Sequence, residues 1–194
     1  MRSFVLGNGR SRLNINPTQL RPYGKIYGCN ALYREFAPDY LIAVDPKMVF
    51  EIEHTGYQNT HEVWTNNNAK YRSFNSLKYF QPSLGWSSGP SALHLATSHK
   101  PHEIYIFGFD FVGSNGNFNN VYSDTNNYKK STDTATYYGN WERQTELVIK
   151  NNPHVKYYRV VEEGFYKTSW EYPNFRNLSY QELLRLLPTW PQTP

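Results

Sequence analysis

Little in this chain could be crosslinked, sunk into a membrane or laid along a polyanion. Its 194 residues include one cysteine, Cys29, so no intrachain disulfide can form and a reducing, cytoplasmic setting is expected. Beside a strand, such a cysteine reads as a small buried hydrophobe without assigned reactivity. The N-terminal apolar stretch, Phe4 to Leu6, is far shorter than a signal-peptide core, and no segment has the length of a membrane span. A net charge of +4 suits an anionic ligand, yet Lys and Arg nowhere gather into a stripe, so nucleic acid is not an expected partner. Tyr71, Tyr79 and Tyr128 stand beside Lys70, Lys78 and Lys129, which reads as solvated surface. No Gly-x-Ser-x-Gly elbow, Cys-His pairing or Walker loop occurs. His99-x-x-His102 lacks a third ligand nearby, so no metal centre is expected.

What is present reads as one globular α/β domain over 1–194, with 39% hydrophobic and 19% charged residues. Six short apolar runs read as strands: Ser3–Leu6, Lys25–Cys29, Tyr40–Val44, Glu62–Thr65, Ile104–Phe107 and Val155–Val160. Long or helical connections between them argue for a mostly parallel, Rossmann-like sheet with helices on both faces. Helices are expected from Ser88, as cap, to about Ser98 and from Asn140 to about Ile149. A third is expected over 179–187. There Ser179 and Glu182 have capping-box spacing, and Tyr180, Leu183, Leu184 and Leu187 share one face. Residues 112–138 are polar and aperiodic, and they follow a strand end, the usual place for a lid over a ligand.

Three features carry chemistry. Gly7-Asn8-Gly9-Arg10-Ser11 follows the first strand, where glycines admit a ligand close to backbone N–H groups; an ordinary strand-to-helix turn would look the same. Gly85-Trp86-Ser87-Ser88-Gly89-Pro90 opens a helix, whose unpaired amides and partial positive charge suit a phosphate, although any capped helix offers these. Asp45 and Asp110 end two strands, where carboxylates bind ribose, hold Mg²⁺ or cap backbone amides. Gly7, Asn8, Gly9, Ser11, Asp45, Ser87, Ser88 and Gly89 are therefore candidate ligand-binding residues.

Taken in order, these motifs resemble the small bacterial sialyltransferases that use CMP-activated sugars. The resemblance runs through Val5–Ser11, Tyr27–Tyr33, Ser87-Ser88-Gly89, Glu103–Phe111 and Tyr137-Tyr138-Gly139. Pro38–Pro46 is also similar to the superfamily of motility accessory factors and the archaeal 6-hydroxymethylpterin pyrophosphokinase. The resemblance implies nucleotide contacts at Asn8, Gly9, Asn30, Ser88 and Gly89, with Asp45 replacing a family Asn and Asp110 beneath the ligand. It implies catalytic roles around Tyr122, Asn140 and Asp110. Here the chain departs from the family. Asn140 stands where the family has its basic His, Val112 and Tyr122 stand at its two Tyr positions, and Gly85 replaces an Arg. Asn accepts no proton at neutral pH, and losing a general base forfeits roughly 10²–10⁴-fold in rate. Asp124 and Asp133 are the carboxylates available as substitutes.

Three functions are thus expected to compete. The first is glycosyl transfer from a CMP-type nucleotide-sugar donor to an unidentified acceptor, with no cofactor required. The second is a Mg²⁺-dependent pyrophosphokinase or nucleotidyl transferase built on Asp45 and Asp110. The third is a nucleotide-binding module without turnover. Assembly into a homo-oligomer is left open by the sequence.

Overall fold

Short apolar segments that end in Gly, Asn or Asp leave the chain few ways to bury itself except side by side. In the computed structural model they form one eight-stranded sheet in which every pairing is parallel. The structure describes residues 1–192. The strands are β1 (Arg2–Leu6), β2 (Gly24–Cys29), β3 (Tyr40–Ile42), β4 (Val63–Asn66), β5 (Leu77–Phe80), β6 (Glu103–Phe107), β7 (Lys156–Val161) and β8 (Phe175–Ser179). Their spatial order is β5-β4-β3-β2-β1-β6-β7-β8. The chain winds outward from β1 to one edge, then crosses over to β6 and winds to the other. That reversal puts a crevice at the carboxyl ends of β1 and β6, where open parallel sheets bind ligands.

Side chains alternate across the sheet. Val5, Tyr27, Ile104 and Ile106 point to the face covered by α2 (Ser88–Ser98) and α3 (Gly139–Asn151). Phe4, Leu6, Ile26, Tyr105 and Phe107 point to the other, covered by the 3-10 segment Pro17–Tyr23 and α4 (Tyr180–Leu186). Next to them α1 (Pro46–Thr55) buries Met48, Val49 and Ile52 against Leu41 and Val63. Among the described residues no helix is long and apolar enough to cross a membrane.

The expected α/β architecture is the one observed, with four differences of detail. Asp45-Pro46 does not merely end β3: Asp45 accepts the Lys47 N–H as N-cap, Pro46 begins α1, and β3 itself stops at Ile42. Strands β5 and β8 went unforeseen; each is an outermost strand of four or five residues. Ser87, not Ser88, is the N-cap of α2, and its side chain makes no capping bond. Tyr71 is buried rather than on a solvated surface, because it packs with Phe50 and Phe74. The Ser179–Glu182 capping box is present, with both reciprocal bonds.

Residues 112–138 lie folded down over the carboxyl ends of β1 and β2. Two isolated bridges, Ser114 to Asn117 and Asn117 to Thr134, give the segment its own framework. Tyr122 joins the cluster of Ala31 and Leu41, with Tyr128 packed against it. Arg34 ties the segment to α1 by bonding Thr125 Oγ1 and the Asn126 carbonyl while pairing with Glu51 at 2.6 Å.

Glu51 also accepts bonds from the Tyr33 hydroxyl and the Asn127 amide, both at 2.6 Å. Burial pushes the Glu51 carboxyl upward, but the bonds from Arg34, Tyr33 and Asn127 outweigh it and hold it below the usual value. A carboxyl depressed in the folded state stabilises the protein above its unfolded pKa, and that stability is lost as pH falls through the folded value. Thermal melts of Glu51→Gln should therefore follow a flatter course than wild type below about pH 5. Parallel curves for the two proteins would remove Glu51 from the acid response.

Candidate functional site

The glycine turn after β1 and the start of α2 meet. One cleft is lined by Gly7, Asn8, Gly9, Cys29 and Asn30 on the β1–β2 side and by Ser87, Ser88, Gly89 and Pro90 from α2. The β6 exit supplies Gly108 to Phe111, and Asn119, Asn120, Tyr138 and Trp141 complete the walls. It encloses about 590 Å³, open solvent at the mouth included.

Each wall is fixed by its neighbours. Asp110 is 4% exposed, and its carboxylate accepts the Ser11 N–H at 3.1 Å, the Ser11 hydroxyl, and the Asn119 amide at 2.9 Å. Asn119 in turn accepts the Arg10 N–H at 2.9 Å, donates a second bond to the Val112 carbonyl, and gives its own backbone N–H to the Tyr138 hydroxyl. Asn8 donates to the Cys29 carbonyl and accepts the Val121 N–H on its own carbonyl. Asn30 adopts φ 52°, a left-handed conformation that Asn tolerates, and there accepts a bond from the Ser88 hydroxyl at 2.8 Å. Ser88 Oγ also accepts the Val44 N–H. The first five residues past β1, the exits of β2 and β6, the start of α2 and the 112–138 segment are thus one bonded unit.

This bonding narrows the expectation that both turns offer unpaired amides. Gly7 N–H bonds Phe107, Gly9 N–H bonds Gly108, and those of Arg10 and Ser11 go to Asn119 and Asp110. Ser87 N–H is taken by Gln144. Among the described residues, the cleft-lining amides of Asn8, Ser88 and Gly89 have no protein acceptor. The latter two open an eleven-residue helix, so they carry its positive end.

The lining contains no Lys, Arg or His, and Asp110 is its sole ionisable carboxylate. Phe109, Phe111, Tyr138 and Trp141 give it an aromatic side facing the Asn and Ser groups. Burial pushes the Cys29 thiol up to about 12, so it is neutral and unreactive at neutral pH.

Four candidates lie elsewhere. Ser11 sits beneath the cleft, held by Asp110. Asp45 is solvent-exposed, capping α1. Tyr122 points to Arg12 and Glu35, its hydroxyl 3.1 Å from the guanidinium and 2.5 Å from the carboxylate. Burial raises its pKa, so it stays protonated. Asn140 is exposed at the start of α3, accepting a bond from Arg143. Asp124 and Asp133 are exposed and bonded to Ser131 and Lys130 backbone amides. Among the described residues no three His, Cys, Asp or Glu side chains are grouped as a metal site would need.

Sequence reasoning missed Asn119, Asn120, Trp141 and, behind the cleft, Arg159. Only Arg159 left a signal, a single charge inside the otherwise uncharged run Tyr157–Val161.

No protein-family model and no curated protein matches the chain. Two solved structures match its fold. A point mutant of the α-2,3/8-sialyltransferase CstII superposes with a TM-score of 0.51 at 17% identity, over 82% of this chain and 81% of that one. The sialyltransferase CST-II in complex with a trisaccharide acceptor and CMP gives 0.52 at 14% identity, over 96% and 98%. The structural likeness is to sialyltransferases and lends nothing to the motility accessory factor and pyrophosphokinase side of the resemblance. What the chain shares with these enzymes is a sialyltransferase-like α/β fold.

Proposed function

We propose that the cleft binds the nucleotide part of a CMP-type sugar donor and that the chain is a glycosyltransferase-like protein. The observation that carries this reading is the convergence of Asn8, Asn30, Ser88 and Gly89 on one cleft at the sheet's reversal point. A phosphate placed there meets the helix-terminal amides of Ser88 and Gly89 and the amide of Asn8. In the transfer, an acceptor hydroxyl oxygen bonds the anomeric carbon as the bond from that carbon to the phosphate oxygen breaks. The same amides stabilise the charge that develops on the departing phosphate.

The hydroxyl proton passes to the departing phosphate or to solvent, since no side chain of the cleft lining is free to act as base. Asn140 cannot accept it, Asp124 and Asp133 do not line the cleft, and Asp110 is engaged by three donors. That observation favours a second reading, nucleotide binding without efficient turnover. The Mg²⁺-dependent alternative draws on Asp45 and Asp110, one capping a helix and the other spent on protein donors. Glycosyl transfer as proposed here calls for no cofactor.

CMP at about 100 times its dissociation constant adds about 2.7 kcal/mol of stability, a melting shift of about 5–10 °C for a chain of this size. The shift is expected with CMP and unchanged by Mg²⁺; one seen only with CTP and Mg²⁺ would transfer the assignment to nucleotidyl chemistry. Asn30→Ala removes the acceptor of the Ser88 hydroxyl and places Ala at positive φ, costing about 1–2 kcal/mol. The variant should stay folded and lose the CMP shift. A full shift in the variant would take Asn30 out of the site.

A further inference from the structure

We propose that Arg159 is the positioning residue of the cleft: from behind, it holds the β6 exit turn so that the Phe109 ring spaces the two amide sources apart. This rests on the reading of the cleft as a nucleotide site.

Arg159 lies on β7, in register with Ile106 of β6 and Asn177 of β8, and is 1% exposed. Its Nε donates to the Phe109 carbonyl at 2.7 Å and Nη2 to the Asp110 carbonyl at 3.1 Å. Nη1 donates to the Tyr166 carbonyl at 2.7 Å and to Asn177 Oδ1 at 3.3 Å. None of these four acceptors is a carboxylate. Burying a guanidinium is costly, and an apolar residue would fill a central strand at no such expense. The location of its bonds supplies the reason. They grip two successive carbonyls of a turn flanked by left-handed residues, Gly108 at φ 66° and Phe111 at φ 59°. A bulky side chain at positive φ persists only where surroundings over-determine it. The guanidinium also sits 5.2 Å from the centre of the Phe111 ring.

The gripped turn touches both ligand-binding segments. A Cβ added at Gly7 would stand 2.9 Å from Phe109 Cδ2, and one added at Gly89 would stand 3.2 Å from Phe109 Cζ. The ring therefore lies between Gly7, the residue before Asn8, and Gly89, the residue after Ser88. A rigid planar fork spans two adjacent carbonyls, whereas an ammonium on a flexible stem does not fix both.

The test uses ¹⁵N-labelled full-length protein, Arg159→Lys, Phe109→Leu and the double variant, with CMP as probe in calorimetry. Each single change should weaken CMP at least about tenfold, and the double should be no weaker than the poorer single, since both act through one ring. The amide resonances of Gly7, Gly9 and Gly89 should move in both single variants while those of α1 stay in place. A folded Arg159→Lys with CMP affinity within twofold of wild type and unmoved glycine resonances would overturn the proposal. Should Arg159→Lys not fold, Arg159→Gln decides on the same two readouts, with Phe109→Leu as the comparison. If wild type ignores CMP, the nucleotide reading fails, and the glycine resonances still decide whether Arg159 sets the two turns.

Discussion

Asp110→Ala should lower the melting temperature by about 10 °C and remove nucleotide binding altogether. The methyl group would leave three buried donors without an acceptor: the Ser11 N–H, the Ser11 hydroxyl and the Asn119 amide. Orphaned buried donors cost about 1–3 kcal/mol each, and the relief available from local relaxation brings the sum to about 3–5 kcal/mol. For a domain of this length each kcal/mol is worth about 2–4 °C. The substitution also strips the nearest negative charge from the buried Arg159. Burial draws that guanidinium down to about 10, and Asp110 is the chief influence opposing the fall. Asp110→Asn keeps the shape but presents an N–H₂ group to donors, so an intermediate loss is expected. Differential scanning calorimetry with and without CMP measures both quantities. A melting change under about 2 °C for the alanine variant would show that Asp110 does not join the turn to residues 112–138.

Gly9→Ala should cost at least about a hundredfold in CMP affinity, because a misplacement of about an ångström is enough for that. Gly9 has φ −64°, so the requirement is for space and not for an unusual backbone. Its added methyl would overlap the Asp110 carboxylate and stand 2.7 Å from the Gly108 carbonyl oxygen. Neither obstacle is the free end of a flexible side chain, since three bonds hold the carboxylate and β6 holds the carbonyl. The turn must move outward, taking the Asn8 amide with it. Gly89→Ala is the natural comparison. Its methyl would meet only the Phe109 ring, at 3.2 Å and beyond, so its effect should be clearly smaller. Equal losses for the two variants would show that crowding at Gly9 is not what shapes the turn.

Six of the eight strands were legible because a parallel sheet covered on both faces writes itself as short apolar runs closed by Gly, Asn or Asp. Helix α1 was not, because Asp45-Pro46 is at once a strand stop and a helix start, and Pro at the first helical position reads as a breaker. Edge strand β8, Phe175–Ser179, buries only Leu178 fully, so it carries no apolar run to detect. In the site, the glycine turn and the Ser87-Ser88-Gly89 start were legible from local chemistry. That they share a cleft follows from β1 and β6 being neighbours, a pairing no local pattern states. Asn119 was hidden among the other asparagines of its loop. Tyr122 and Asn140, placed by resemblance, lie outside the cleft lining: Tyr122 turns to Arg12 and Glu35, and Asn140 is exposed at the start of α3.

Asn119 bonds to Arg10, Asp110, Val112 and Tyr138, all within the protein itself. A binding surface already ordered in this way surrenders little conformational entropy on capture. Association should then proceed at a rate set by diffusion and orientation, about 10⁵–10⁷ M⁻¹s⁻¹, with no slower isomerisation trailing it. Differences in affinity among related nucleotides would accordingly be written almost entirely in how long each one stays.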